Sequence, residues 1–545
     1  MVDRRREDLG VARDVLDVGV ASDGPEPLLA VRASRVRVPM QSGLRSEFGE
    51  RFIRNRGLVL VRICDIDDGL WGHVAIVCSA SGKLLPTRIS GGIAVATEID
   101  DDLMTAVIED LNDADIHTVE VAHVDTLGHM RGKRVPVDRF IGSVASGGCH
   151  IADAIFIFDA ANDLVESPYV SMDGGFLDTH LVPDLSTTRI FTHRDGYAIV
   201  MADSYDPDGN PHTLSPRNVL AAQVERCQAL GLDPVVATEM EFYLCNPDWS
   251  PIQDHIQYSS LTDSPHVEVV LHDIRTALLG AGIPVESSNL EYGPGQIEIN
   301  VSAADAMTTA DNTLLYKSIV KEIAERHGLK ATFMSKIWEK QSGSGMHVHT
   351  SLNDDEGNAF RDAVDGPNEL MSHWVAGQLE HAAALSLLGS PMPYAHKRVR
   401  PYTFAPTHIH WGLDNRSVLC RCTVGAGSAN RVEYRAAGAD ANPYLIIAGL
   451  LAAGADGVER SLELPASADG DMYAEPGAHE ALSVSIEAAI DAFDGSALAA
   501  ALGEEFSTNY VLVARHEAAA LAEAGGDSAA DSISDWERAR YIEHI

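Results

Sequence analysis

Two short runs in the second half of the chain place ionisable residues at every second position. ATEMEFYL (237–244) carries Glu239 and Glu241, and GMHVHTSL (345–352) carries His347 and His349. A β-strand turns alternate side chains to opposite faces, so each pair shares one face, and a sheet is required here. Two carboxylates on one face repel unless something positive lies between them. NLEYGPGQIEIN adds Glu291 and Glu298 on either side of a Gly293-Pro294-Gly295 turn, and RVEYR sets Glu433 between Arg431 and Arg435. Hard carboxylate oxygens with a single imidazole suit Mg²⁺ or Mn²⁺, and a set of this size can hold two ions bridging phosphate oxygens.

Composition narrows the setting. A chain of 545 residues with 45% apolar residues has the material for two to four cored domains. Its formal net charge is −39, and only 8 of its 41 basic residues are Lys. Such a surface repels phosphate backbones and acidic membranes, so neither nucleic acid nor a membrane is expected as a partner. A large acidic excess with scarce Lys is expected of a halophilic protein, whose self-repulsion is screened by salt. Seven Cys in this length do not make a disulfide framework, and Cys420 and Cys422 read as reduced core residues. No run of 18 apolar residues occurs, and MVDRRRED is not followed by a long apolar stretch, so the cytoplasm is the expected location.

Residues 1–26 read as a loose terminus. Residues 27–98 read as a small β-rich module, in which GLVLVRICDIDDGLWGHVAIV joins two strands across Asp67, Asp68 and Gly69. This stretch weakly resembles the opening of the enolase-superfamily capping domain, without the barrel carboxylates and lysines that would have to follow. A helix pattern at 101–112 leads into an alternating strand and a basic turn segment, IHTVEVAHVDTLGHMRGKRVPVDRF. SPRNVLAAQVERCQALGL predicts a helix with Pro216 in its first turn. Strands alternating with helices follow to the end.

The motifs in their order resemble the glutamine synthetase superfamily: Glu-x-Glu-Phe, Glu-x3-Gly-Gln-x-Glu, ATFMSK (331–336), GSGMHVH (343–349), NRS (415–417), RVEYR and NPYLIIAGLLAAGADG (442–457). The resemblance runs from about residue 100 to the end. It implies an α+β fold, with a small amino-terminal β-grasp domain (99–205) and a large catalytic domain (206–545) built on a curved antiparallel sheet with helices. It also implies ATP and two or more Mg²⁺ or Mn²⁺ ions, one held by Glu241, Glu291 and Glu298 and another by Glu239, His347 and Glu433. Arg416 and Arg421 match phosphate-facing arginines, and Glu286, His349 and Ser351 match positions near the nucleotide. Arg398 and Arg435 match the pair that grips L-glutamate, Gly343 matches a glycine that brings backbone to the substrate, and Arg416, Arg435 and Arg398 are the expected catalytic cations. Hexameric rings, single or stacked as a dodecamer, are implied too.

The departures point to the nucleophile. The family's glutamine synthetases carry a Glu just before Ala-Pro that helps bind and deprotonate ammonium; here KRVRPYTFAPTHIHWG has Phe404, which cannot accept a proton. A second ammonium-binding Asp comes from the neighbouring subunit's amino-terminal domain, where Asp163 and Asp173 lie in the right region. The Asn before the GSG turn is Ser342, and the nucleotide-contacting Lys has no match around Ser428. RGK (131–133) and FAPTHIHWGLDNRS resemble the family's glutamate–amine ligase branch, which makes γ-glutamyl amides of polyamines, ethanolamine or alkyl and aryl amines. The expectation is therefore an ATP-dependent ligase joining glutamate's γ-carboxylate to an organic amine through a γ-glutamyl phosphate. An ammonia-using glutamine synthetase is the first alternative, and a non-catalytic scaffold or nitrogen-sensing protein the second.

Overall fold

The computed structural model describes residues 101–262 and 264–545, together with four strand segments at 19–21, 28–30, 58–64 and 71–77. The chain divides into two compact units, 1–92 and 93–545. In the first, Leu58–Cys64 pairs antiparallel with Trp71–Val77, and Gly19–Ala21, within the stretch read as a loose terminus, pairs antiparallel with Leu28–Ala30. The Asp67–Gly69 turn and the rest of the 1–26 and 27–98 readings lie outside the described residues.

The second unit opens on helix α1 (Asp101–Asp113), which buries Val107 and Leu111. Its smaller sheet runs β2-β1-β5-β4-β3, from β1 (Thr118–Val124), β2 (Met130–Pro136), β3 (Cys149–Ala152), β4 (Asp178–Pro183) and β5 (Tyr197–Tyr205). β5 lies parallel to β1, and the other pairings are antiparallel. The basic segment expected as a turn is strand β2. Its residues pair one for one with β1, and Arg134 in it reaches Glu120 across the strands at 2.7 Å. A row of β-sheet hydrogen bonds and an opposite-charge cross-strand pair outweigh the turn tendency of Gly132.

α2 (Pro216–Ala229) then begins as expected, with the Ser215 hydroxyl accepting from the Asn218 amide and Pro216 in the first turn, where its missing N–H costs nothing. The larger sheet runs β7-β8-β6-β9-β12-β11-β10: β6 (Asp233–Cys245), β7 (Val285–Leu290), β8 (Gln296–Val301), β9 (Met346–Asp354), β10 (Trp411–Leu413), β11 (Cys420–Thr423) and β12 (Arg431–Tyr434). It is antiparallel except at its edge, where β10 and β11 run parallel. The inward residues Met240, Phe242, Ile297, Ile299, Met346 and Val348 are buried in one continuous core with α3 (Ala306–Arg326) and α4 (Pro443–Arg460). Their alternate neighbours Glu239, Glu241, Glu298, His347 and His349 are thereby all turned to the opposite face. Cys420 and Cys422 are buried free thiols. Among the described residues, no helix is long and apolar enough to cross a membrane.

Candidate active site

Register assembles the charged face. Glu239 lies directly opposite His347, Glu241 opposite Glu298, and His349 opposite Glu433. Residues facing each other across two strands have Cβ atoms about 5 Å apart, so four strands focus these groups on one patch. Two sets have a ligating atom from each member within 4.8 Å of the others: Glu239, His347 and Glu433, and Glu241, Glu291 and Glu298. These are the six residues, in the two groupings, that the sequence resemblance put forward.

The two sets differ electrostatically. In the first, His347 Nδ1 lies 3.0 Å from Glu239 and 3.5 Å from Glu433. Arg431 Nε–H donates to His349 Nδ1 at 3.3 Å, so the His349 Nε2–H is the donor to Glu239 at 3.2 Å. Burial opposes the charged form of Glu239, but the hydrogen bonds from His347 and His349 outweigh it and hold its carboxyl well below the usual range. Glu433 is likewise opposed by burial and then drawn down, to about 2, chiefly by the Arg435 guanidinium. In the second set three carboxylates converge with little compensation. Burial, and then the charge of Glu291, pushes Glu241 up to about 8; burial, with Glu239, Glu241 and Glu291 around it, pushes Glu298 up to about 9. Burial also raises Glu291.

These donors fit divalent cations. The second set is all oxygen, which suits Mg²⁺ or Mn²⁺, and a cation there reverses the repulsion that otherwise favours protonation. In the first set Nδ1 is the His347 nitrogen that faces both carboxylates, and the buried Nε2 has no hydrogen-bond partner.

Around the two sets sit the arginines. Arg421 donates to Glu433 at 2.8 Å and also grips Asp414. Arg435 donates to Glu433, and its Nε to the Arg416 carbonyl at 3.1 Å. The Arg416 side chain is exposed, with its charge acting on Glu291. Arg398 is buried: Nη1 donates to the Ala436 carbonyl at 2.9 Å, while Nε has no partner. A buried guanidinium with an unused N–H is prepared for an anionic ligand. Gly343 makes this packing possible, since a Cβ there would come 2.6 Å from the Ser335 carbonyl and 2.7 Å from Arg398 Cγ. The Gly343 carbonyl accepts from Gln296 at 3.1 Å and the Ser342 carbonyl from Tyr243 at 2.8 Å, which fixes the approach to β9. Gly343→Ala is therefore expected to shift Arg398, raising KM for the anionic substrate about tenfold and costing about 1–3 kcal/mol of stability; steady-state kinetics and denaturant titration check both.

A cleft of about 430 Å³ opens beside Glu239, lined among others by Glu286, His349, Ser351, Ser428 and Arg431. Three of the residues matched to nucleotide positions thus face one cavity, while Arg416 and Arg421 do not line it. Arg431 was missed as a cleft residue, although its place two residues before Glu433 puts both on one strand face. Asp163 and Asp173 are exposed in the segment between β3 and β4 and belong to neither carboxylate set.

Phe404 stands at the rim, 52% exposed, with its backbone at φ +66° and its ring edge-to-face with Tyr292 at 5.3 Å. Tyr292 follows Glu291 directly and was not singled out in the sequence.

Residues 213–541 match the family model for the glutamine synthetase catalytic domain. The chain is 34% identical over 448 residues to a glutamate–isopropylamine ligase of Pseudomonas sp, covering 79% of this chain and 96% of that one. It is 35% identical over 445 residues to a gamma-glutamylethanolamide synthetase of Streptomyces coelicolor, covering 79% and 94%. A solved GmaS/ADP complex superimposes with a TM-score of 0.69 at 26% identity, covering 79% of this chain and 98% of that one.

Proposed function

Since the chain belongs to the glutamine synthetase family, we propose that it is an ATP-dependent ligase joining the γ-carboxylate of L-glutamate to an organic amine. One feature supports the choice of nucleophile: Phe404, which the FAPTHIHWG motif matches to the Glu of the ammonia-using members, packs against Tyr292. An aromatic wall removes the proton acceptor that ammonium needs and offers a carbon skeleton apolar surface instead.

In this reading the cleft residues Glu286, His349, Ser351, Ser428 and Arg431 hold the nucleotide, and Arg416 and Arg421 face its phosphates. Arg398 and Arg435 grip glutamate, and the Gly343 backbone approaches it. Glu241, Glu291 and Glu298 hold one divalent ion and Glu239, His347 and Glu433 another. When bound, these ions neutralise charge on the transferring phosphoryl group. A γ-carboxylate oxygen attacks the terminal phosphorus of ATP, and ADP leaves. The amine lone pair then attacks the acyl carbon of γ-glutamyl phosphate, phosphate departs with the bonding electrons, and the nitrogen loses a proton. The chain residues act by placing the reactants and compensating charge, since little covalent chemistry falls to the protein. A hexameric ring or dodecamer would bring the region of Asp163 and Asp173 to the amine pocket of a neighbouring copy, and light scattering tests the size of that assembly.

The reading is tested by phosphate release with Mg²⁺ or Mn²⁺, ATP and glutamate across ammonia, ethanolamine, putrescine, isopropylamine and aniline. Release that depends on an organic amine supports it; release equal with every amine and with none removes it. The net charge of −39 further supports adaptation to high salt. Thermal unfolding should then shift upward by ten degrees or more on going from about 0.1 M to 2 M KCl, as the Debye length falls from about 10 Å to under 3 Å.

A further inference from the structure

Two aromatic contacts leave the same strained loop in different directions. Between Arg400 and Ala405, Tyr402 (φ +61°) and Phe404 (φ +66°) both lie in the left-handed region, which bulky side chains adopt only where the surroundings impose it. The Thr403 hydroxyl, between them, donates to the Arg398 and Arg400 carbonyls at 2.6 and 2.7 Å, pinning the loop to the segment that carries Arg398. Phe404 meets Tyr292 at 5.3 Å, and Tyr402 meets Tyr473 at 5.4 Å. The Tyr473 hydroxyl is buried without a hydrogen-bond partner and lies near enough to Arg398 and Arg435 to feel their charge. The loop therefore bridges from the glutamate-gripping arginines to the Glu241, Glu291 and Glu298 set.

Tyr292 is held by that set's own turn. Its amide donates to the Glu291 carboxylate at 3.2 Å, and the Gly293 amide donates to Gln296 at 3.0 Å. Gly293 admits no side chain, because a Cβ would lie 2.0 Å from the Tyr243 hydroxyl. The Tyr292 backbone is thus fixed relative to the carboxylates, while its side chain is 42% exposed, and its contact partner Phe404 is exposed as well. Two neighbouring large aromatics left open to solvent beside a polar site mark a surface prepared for an apolar ligand group.

Resting on the ligase reading above, we propose that Tyr292 is a specificity-determining residue, forming with Phe404 an aromatic slot that takes the carbon skeleton of a primary monoamine bearing a compact alkyl or aryl group. Each methylene that leaves water against the rings favours binding several-fold, an advantage ammonia lacks. A diamine would have to bring its second, hydrated ammonium against the same rings, where an exposed cation–π contact returns little.

The test compares amide formation with isopropylamine, benzylamine and putrescine against γ-glutamyl hydroxamate formation from hydroxylamine, a nucleophile without a carbon skeleton. In the wild type the monoamines should exceed putrescine in kcat/KM. Tyr292→Ala should lower the ratio of isopropylamine to hydroxylamine kcat/KM about tenfold or more, Tyr292→Phe should keep it, and Phe404→Ala should lower it in parallel. An unchanged ratio in Tyr292→Ala and Phe404→Ala, or a wild-type preference for putrescine, overturns the slot while leaving the ligase reading intact. A wild type that forms neither amide nor hydroxamate overturns the ligase reading, and the slot with it.

Discussion

Phe404→Glu is expected to raise ammonia turnover by about 10²-fold and to depress turnover of isopropylamine by a similar factor. A positioned general base contributes about 10²–10⁴-fold, and a carboxylate at this rim also compensates the ammonium charge before deprotonation. The same carboxylate strips the apolar contact with Tyr292 from the organic amine and places a hydrated charge, costly to desolvate, against its carbon skeleton. Backbone strain does not confound the comparison, since Glu and Phe are equally disfavoured at φ +66°. The pH profile gives a second readout. With Phe404 in place of that Glu the wild type has one proton acceptor fewer and depends more on amine that arrives neutral, so kcat/KM for an alkylamine should climb with pH toward the amine's own pKa, about 10 by analogy with Lys. Phe404→Glu should flatten that climb. Initial rates by coupled phosphate release, at fixed ATP and glutamate, measure both effects. An ammonia rate unmoved by the substitution points instead to the ammonia-using enzyme, with another residue filling the missing role.

The charged face was legible in the sequence because a period of two leaves no freedom: Glu239 with Glu241, and His347 with His349, have to share a side of their strands. The Gly293-Pro294-Gly295 turn was legible too, and it joins β7 to β8 with Asn289 opposite Glu298; that β8 also lies beside β6, with Glu298 opposite Glu241, was not. Periodicity does not say which strands are neighbours, so the division of six ligands into two sets came only from the family resemblance. Geometry reproduces that division through cross-strand register. The loops were the blind spot. Tyr292 against Phe404 and Tyr473 near the two buried arginines each depend on which distant segment packs alongside, and no local pattern encodes that. The misreading of residues 131–133 as a turn has the same origin: Gly132 and its basic neighbours look like a loop until β1 supplies the partner that makes them a strand.

Glu298→Gln is expected to separate function from stability. A bound cation supplies several kcal/mol of charge stabilisation, and each 1.36 kcal/mol is a factor of ten in rate. Removing one carboxylate from its set should therefore cut phosphate release on the order of 10³-fold. In the protein stripped of divalent ions the sign reverses. Burial and the neighbouring Glu239, Glu241 and Glu291 raise the folded-state Glu298 from its ordinary 4.5 to about 9. A carboxyl so raised leaves stability intact below its unfolded pKa and withdraws it progressively as pH climbs toward the folded value. The stripped wild type should thus lose melting temperature relative to Glu298→Gln as pH rises from about 4.5 to 9, with the variant ahead by a few degrees at the top of that window. Adding millimolar Mn²⁺ should close the gap by raising the wild type alone, because only the intact set gains from the ion. Differential scanning fluorimetry across pH, with and without Mn²⁺, reads all of this without reference to turnover. Equal slopes for the two proteins, or equal stabilisation of both by Mn²⁺, would show that Glu298 does not share a cation with Glu241 and Glu291.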